Sequence, residues 1–298
     1  MFPRSPRRRV LPLIGALGFL GGLSTALGNG PVGGAVTGSG PVDVLYAGSL
    51  VTLMQQDLGP AFQSATGYTV SGVSAGSKDL ASEIKAGTQQ GDVFISAAPV
   101  VNASLMGPAN GNWVSWYASF ASSPLLLAYN PSSSFARELK TKPWYEVVGQ
   151  SGFLLGRTDP ATDPKGVLAV QALNEAASKY RQPALAAIAS SSSGEFPEQT
   201  LVGELQAGQL DAGFFYAVEA SAAHLSTVPL RGLKTLTATY TVTILNRAPH
   251  AAAARAFVAF LLGQKGRAIM AAHGMQAISP PKVKGAVPAG VKGAIPGG

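Results

Sequence analysis

The sequence predicts an α/β fold with parallel strands, on three observations. Short apolar runs alternate with helix-like stretches along the body of the chain. Several of these runs stop at a Gly, Ser or Asn turn, where a strand would end. A helical pattern then follows the turn, which is the order a crossover between parallel strands requires.

The elements read as follows. Residues 42–46 (VDVLY) form an apolar strand, and Ala47-Gly48-Ser49 turns it into a helical stretch that reaches Phe62. Gly67 breaks that helix, and 68–73 is the next strand. Ala75-Gly76-Ser77 opens a second helix over 78–86, where Leu80, Ala81 and Ile84 share one face at helical spacing. Gly91-Asp92 leads into the apolar strand 93–95. Residues 123–129 (SPLLLAY) read as a buried strand, and 153–155 as another. The loop 156–166 (GRTDPATDPKG) precedes an Ala-rich helix to Tyr180. A helix over 201–207 ends at Gly208 and runs into a strand over 212–216. Residues 235–245 are β-rich, and 251–272 reads as one helix with Phe257, Phe260, Leu261 and Ile269 on one side.

The ends differ from the body. Arg4, Arg7, Arg8 and Arg9 precede an apolar run over 10–23, and Ala26-Leu27-Gly28 offers a cleavage site, so 1–28 reads as an export signal. The run is shorter than the ~20 residues a membrane span needs. Arg7-Arg8-Arg9-Val10-Leu11 also allows a twin-arginine route. Residues 29–41 read as a flexible linker. Residues 281–298, with a two-copy Val-Lys-Gly-Ala quasi-repeat, read as an extended tail.

Of 22 basic residues, seven sit at these ends, and the remainder match the 15 acids in number. The net charge of +7 therefore belongs to the termini, and the neutral body carries no nucleic-acid footprint. The absence of cysteine excludes disulfide scaffolds, thiolate metal sites and a Cys nucleophile.

Three turns carry one physical device. Gly48-Ser49, Gly76-Ser77 and Pro164-Lys165-Gly166 each put small residues at a helix N-terminus, where free N–H groups meet the positive end of the dipole. Alone, each serine is an ordinary helix cap. Converging, they would enclose an anion by N–H and O–H dipoles without a cation. Lys165 beside them is either solvated or favours anion approach.

Residues 43–50 (DVLYAGSL), 75–81 (AGSKDLA), 91–97 (GDVFISA), the 156–166 loop and 210–216 (LDAGFFY) together resemble the molybdate/tungstate-binding proteins of ABC importers. The resemblance spans about residues 42–281, with the motifs in order. It implies a two-lobed type II periplasmic-binding-protein fold, each lobe a mostly parallel sheet flanked by helices, with the ligand in the interlobe cleft. Lobe one would be 42–127 with 238–280, and lobe two 128–237. Carried over by position, Ser49 and Ser77 would donate from lobe one. Tyr216 and the backbone at Lys165 and Gly166 would donate from lobe two. The resemblance further implies a monomeric, exported receptor, periplasmic or otherwise extracytoplasmic. It would need no cofactor and would pass molybdate or tungstate to a membrane permease.

In the archaeal-type branch of that family, an Asp at position 163 and a Glu just before the Tyr ligate the oxyanion's metal. Here Asp163 is present but Phe215 precedes Tyr216, and Glu219 lies further on. The expectation is thus a four-coordinate oxyanion held by hydrogen bonds, with Asp163 either repelling it or serving the helix dipole. Sulfate or phosphate would be satisfied by the same dipoles, with Asp163 accepting phosphate's proton. A runner-up from another class is a serine hydrolase, because 72–76 (GVSAG) fits G-x-S-x-G with Ser74 as nucleophile. His224, His250 and His273 follow it in the chain but read as surface or helix-end residues. Trp113, Trp116 and Trp144 read as core or surface anchors.

Overall fold

A computed structural model describes residues 38–296. The expected export signal, 1–28, and linker residues 29–37 lie outside the described residues. Ten strands run through the body: β1 (Pro41–Ala47), β2 (Thr69–Ala75), β3 (Val93–Ser96), β4 (Trp116–Tyr129), β5 (Leu155–Thr158), β6 (Glu195–Phe196), β7 (Ala212–Tyr216), β8 (Ser226–Pro229), β9 (Thr237–Ile244) and β10 (Gln276–Gly285). The helices that matter for the site and core are α1 (Ser77–Ala86), α2 (Pro164–Tyr180), α3 (Ala217–Ala222), α4 (Ala251–Leu262) and α5 (Gln264–Ala272).

The strand order is β2-β1-β3-β9-β4-β7-β5-β6. β1 pairs in parallel with β2 and β3, and β5 with β6 and β7. These are the strand–turn–helix units. β3 and β7 are buried along their whole length, as strands covered on both faces must be. The linking strands run antiparallel: β9 to β3 and β4, and β4 to β7, β8 and β10.

β4 is the pivot of the architecture. Its first part, to Pro124, pairs with β9, and from Leu125 its partner becomes β7. One 14-residue strand thus belongs to both sheets. The chain returns between Pro229, where β8 ends, and Thr237, where β9 begins. Two crossings join two α/β lobes, and the cleft between them lies at the carboxyl ends of the parallel strands, where such sheets bind ligands.

One main apolar core runs through both lobes, from Val44 and Phe257 to Leu173 and Phe214, and smaller clusters lie beside it. On α1, Leu80, Ala81 and Ile84 pack with Leu45 and Phe94, as the helical spacing required. Gly87, at φ +71°, ends that helix in the left-handed conformation glycine adopts most readily. Phe62 meets Phe257 and Phe260 edge-on, which fixes α4 against the first helical stretch. Trp116 and Trp144 are buried, while Trp113 stacks under Arg247.

Several boundaries differ from the sequence reading. The expected helix 251–272 breaks at Gly263, whose backbone is extended and separates α4 from α5. β5 begins at Leu155 and includes the polar Arg157-Thr158, because β6 offers a partner strand on that side. The expected extended tail, 281–298, packs on the body over its described length. Lys282 to Gly285 pair with β4 from Ser119 to Trp116, and Val291 and Ile295 are buried in the main core. Burying these two apolar side chains gives the segment a reason to pack on the body.

Candidate functional site

The site gathers at the carboxyl ends of β1, β2, β5, β6 and β7. Gly48-Ser49 follows β1, and Gly76-Ser77 follows β2. Asp163 caps α2, accepting a hydrogen bond from the Lys165 backbone N–H. Tyr216 ends β7, Glu219 sits in the first turn of α3, and Glu198 lies in the turn after β6. Tyr240 reaches in from β9. Ser49, Ser77, Asp163, Lys165, Glu198, Tyr216, Glu219 and Tyr240 are all buried.

Lys165 is the centre of the charge arrangement. Its Nζ donates to both oxygens of Glu219, at 2.9 and 2.8 Å, and lies 3.6 Å from Glu198 Oε1. It also sits over the Phe215 and Tyr216 rings, at 5.3 and 5.9 Å from their centroids. Burial opposes its charge, but Glu219, Glu198 and Asp163 outweigh that, and its pKa is raised. Three carboxyls therefore face one ammonium. Burial pushes the Asp163 carboxyl up, and pushes Glu198 well up with the Asp163 charge adding to it. Burial, with the nearby carboxylates, likewise holds the Tyr216 phenol well above its usual range, so it stays a donor.

The hydroxyls are arranged to give protons. Ser49 Oγ and Tyr240 OH are 2.9 Å apart, so one proton of the pair joins them and the other is free. Ser77 Oγ accepts from the Ala97 N–H at 3.1 Å, which leaves its own proton to donate. Asp163 and Glu198 meet carboxyl to carboxyl, a contact that becomes a hydrogen bond when one of them keeps its proton, and Glu198 also lies against the Gly48 N–H. Among the described residues, Tyr216 OH has no hydrogen-bond partner. A buried phenol is rarely left so.

Ser49, Asp163, Lys165 and Tyr216 thus converge, but not as four dipoles around a cation-free anion. Lys165 is neither solvated nor open to an approaching ion: it is buried against Glu219. Gly166 packs on the 158–160 loop, where a Cβ would overlap the Thr158 carbonyl, so glycine serves close approach there. At the α1 terminus, the Lys78 and Asp79 N–H groups donate to the Thr162 carbonyl at 3.0 and 3.3 Å, and Lys78 Nζ to Pro160 O at 2.7 Å. Those groups join the two lobes and are not free for an anion.

Glu198 and Tyr240 carried no spacing signal. Glu198 follows a Ser- and Gly-rich loop, and Tyr240 is one aromatic in a β-rich run. Glu198 reaches the opposite lobe: a Cβ on Gly48 would lie 2.9 Å from its Oε2, so glycine there lets the carboxyl approach this closely. Ser74 lies within β2, opposite Tyr46, and not on the sharp turn a nucleophile elbow needs. His250 pairs with Asp92 and His273 with Asp57.

The buried acids carry a pH signature. Burial raises Glu219 from 4.5 to about 7, with Lys165 pulling it back. A raised carboxyl keeps in the folded state a proton that the unfolded chain has released. Stability therefore falls as pH rises between about 4.5 and 7. The ligand-free protein should melt at a lower temperature at pH 8 than at pH 5. Glu219→Gln should flatten that slope, removing up to about 3 kcal/mol of it.

Comparison with known proteins agrees with the fold. The chain is 28% identical over 280 residues to an uncharacterized solute-binding protein of Petrotoga mobilis, covering 82% of this chain and 86% of that one. It is 24% identical to the molybdate/tungstate-binding protein WtpA of Thermococcus kodakarensis, over 59% of this chain and 64% of the relative. The periplasmic molybdate-binding protein of Azotobacter vinelandii has the same fold, with TM-score 0.57 and 18% identity over 79% of this chain and 98% of that one. Among the described residues no helix is long and apolar enough to cross a membrane. Residues 42–276 match the model for bacterial extracellular solute-binding proteins, and the chain belongs to that family.

Proposed function

We propose that this protein captures molybdate or tungstate outside the cytoplasm and delivers it to the membrane permease of an ABC importer. In this reading Asp163 and Glu198 ligate the oxyanion's metal. The observation that carries the reading is the pair of buried acids, Asp163 and Glu198, brought carboxyl to carboxyl beside a Tyr216 OH that has no hydrogen-bond partner among the described residues. A tetrahedral dianion held by dipoles alone gains nothing from two carboxylates, which repel it strongly in a dry site. An oxyanion of Mo(VI) or W(VI) has a hard, electrophilic centre that accepts further oxygen ligands. Carboxylates then become attractive, while Tyr216, Ser49 and Ser77 donate to the oxo groups. The four-coordinate expectation rested on Phe215 displacing the second carboxylate, and Glu198 brings one from a different loop. The relatives named for molybdate and tungstate support the same ligand class.

Sulfate is the discriminating competitor, because its sulfur cannot add ligands. Calorimetric titration should give tight binding of molybdate and tungstate, with sulfate weaker by about 100-fold or more, equivalent to about 2.7 kcal/mol. Equal affinity for all three would refute metal ligation. Binding of none would refute the function.

A further inference from the structure

The Glu198 carboxyl meets Asp163, the Gly48 N–H and, at 3.6 Å, Lys165 Nζ, but every one of these contacts depends on the backbone bringing Glu198 to them. Its place is inherited from the backbone that leads to it. That backbone is β6, a strand of two residues, paired in parallel with β5 at Arg157↔Glu195 and Thr158↔Phe196. A two-residue ladder is a weak support. The side chain of Arg157 supplies the rest. It is 2% exposed, and its Nη1 lies 2.7 Å from Glu195 Oε1 and 3.3 Å from the Thr158 carbonyl. Its Nη2 donates to the Ser191 carbonyl, and its own backbone N–H to the Gly194 carbonyl at 2.9 Å. The guanidinium therefore grips the 191–195 loop at both ends, with donors whose angles a planar fork fixes. On the other side, the chain from Arg157 runs directly through β5 into the loop that ends at Asp163.

We propose that Arg157 is a positioning residue for the oxyanion. It ties the strand leading to Asp163 to the loop leading to Glu198, and so sets the separation of the two carboxylates. It touches no ligand itself. The inference rests on the molybdate/tungstate reading above, and adds to it a residue outside the ligand shell. Groups that orient metal ligands typically alter affinity by about 10- to 100-fold when removed.

The test uses the exported chain without its leader, with molybdate as probe, and reads affinity, thermal stability and molybdenum K-edge absorption together. Wild type should give a six-coordinate spectrum. Arg157→Met should bind molybdate about 10- to 100-fold more weakly, with a spectrum shifted toward four-coordinate. Arg157→Lys, which keeps a donor, should recover part of both. Glu195→Gln leaves the Ser191 bond and should have a smaller effect in the same direction. If Arg157→Met does not fold, Arg157→Lys and Glu195→Gln read the same coordinate. Wild-type affinity and spectrum in a folded Arg157 variant would overturn the proposal. So would a variant that loses only thermal stability while its spectrum stays six-coordinate. A wild-type protein that binds molybdate four-coordinate would overturn the metal-ligation reading and this inference with it, and that outcome is visible before any variant is made.

Discussion

Glu198→Gln and Asp163→Asn should each weaken molybdate and tungstate binding by about 100-fold or more, while sulfate binding holds or improves. The two directions come from one change. For an electrophilic metal centre the substitution removes a ligand. For sulfate it removes a buried negative charge from beside the anion, and repulsion in a dry site is large. The protein without ligand should not suffer, because three carboxyls crowd one ammonium there and burial already raises all three. Paired titrations of each variant with molybdate and sulfate measure the split. If both variants instead bound molybdate more tightly, the anion would be four-coordinate and the carboxylates mere repellers, as Phe215 first suggested.

Lys165→Met should be the most damaging single change to stability. Lys165 bridges both oxygens of Glu219 and lies near Glu198, with no exposed surface. Removing it leaves Glu219 buried beside Glu198 without its cation. Breaking one side of a buried pair costs about 3–5 kcal/mol, because the remaining charge is uncompensated. In a chain of this size that lowers the melting temperature by roughly 10 °C. The loss should shrink as pH falls, since a protonated Glu219 no longer needs a partner. The double variant Lys165→Met with Glu219→Gln should regain part of it, the non-additivity expected of groups in contact. Thermal melts at pH 5 and pH 8 read both effects. An additive double variant would show that the pair is not coupled.

The local elements of the fold were legible without coordinates. The apolar runs at 42–46, 93–95 and 212–216 are strands, and Leu80, Ala81 and Ile84 face inward. Asp163 before Pro164 is the N-cap, as a helix start demands. These features depend on side-chain period and turn chemistry within a few residues, so the order of residues contains them. Strand β10 was not legible, because Gln276 to Gly285 has no apolar alternation and its partner β4 is far away in the chain.

Within the proposed site, the Gly–Ser and Gly–Arg–Thr–Asp–Pro turns were legible in the sequence, and the electrostatics around them were not. Lys165 and Glu219 are 54 positions apart, and Ser49 and Tyr240 are 191 apart. Their meeting depends on β4 passing between two sheets and on β9 returning. The same crossing carries the Glu198 carboxyl against Gly48. What a turn can donate is written in the turn itself. Whether its proton or its negative charge faces a ligand depends on which distant side chains the closed lobes bury beside it, since only burial makes a charge's neighbour decisive.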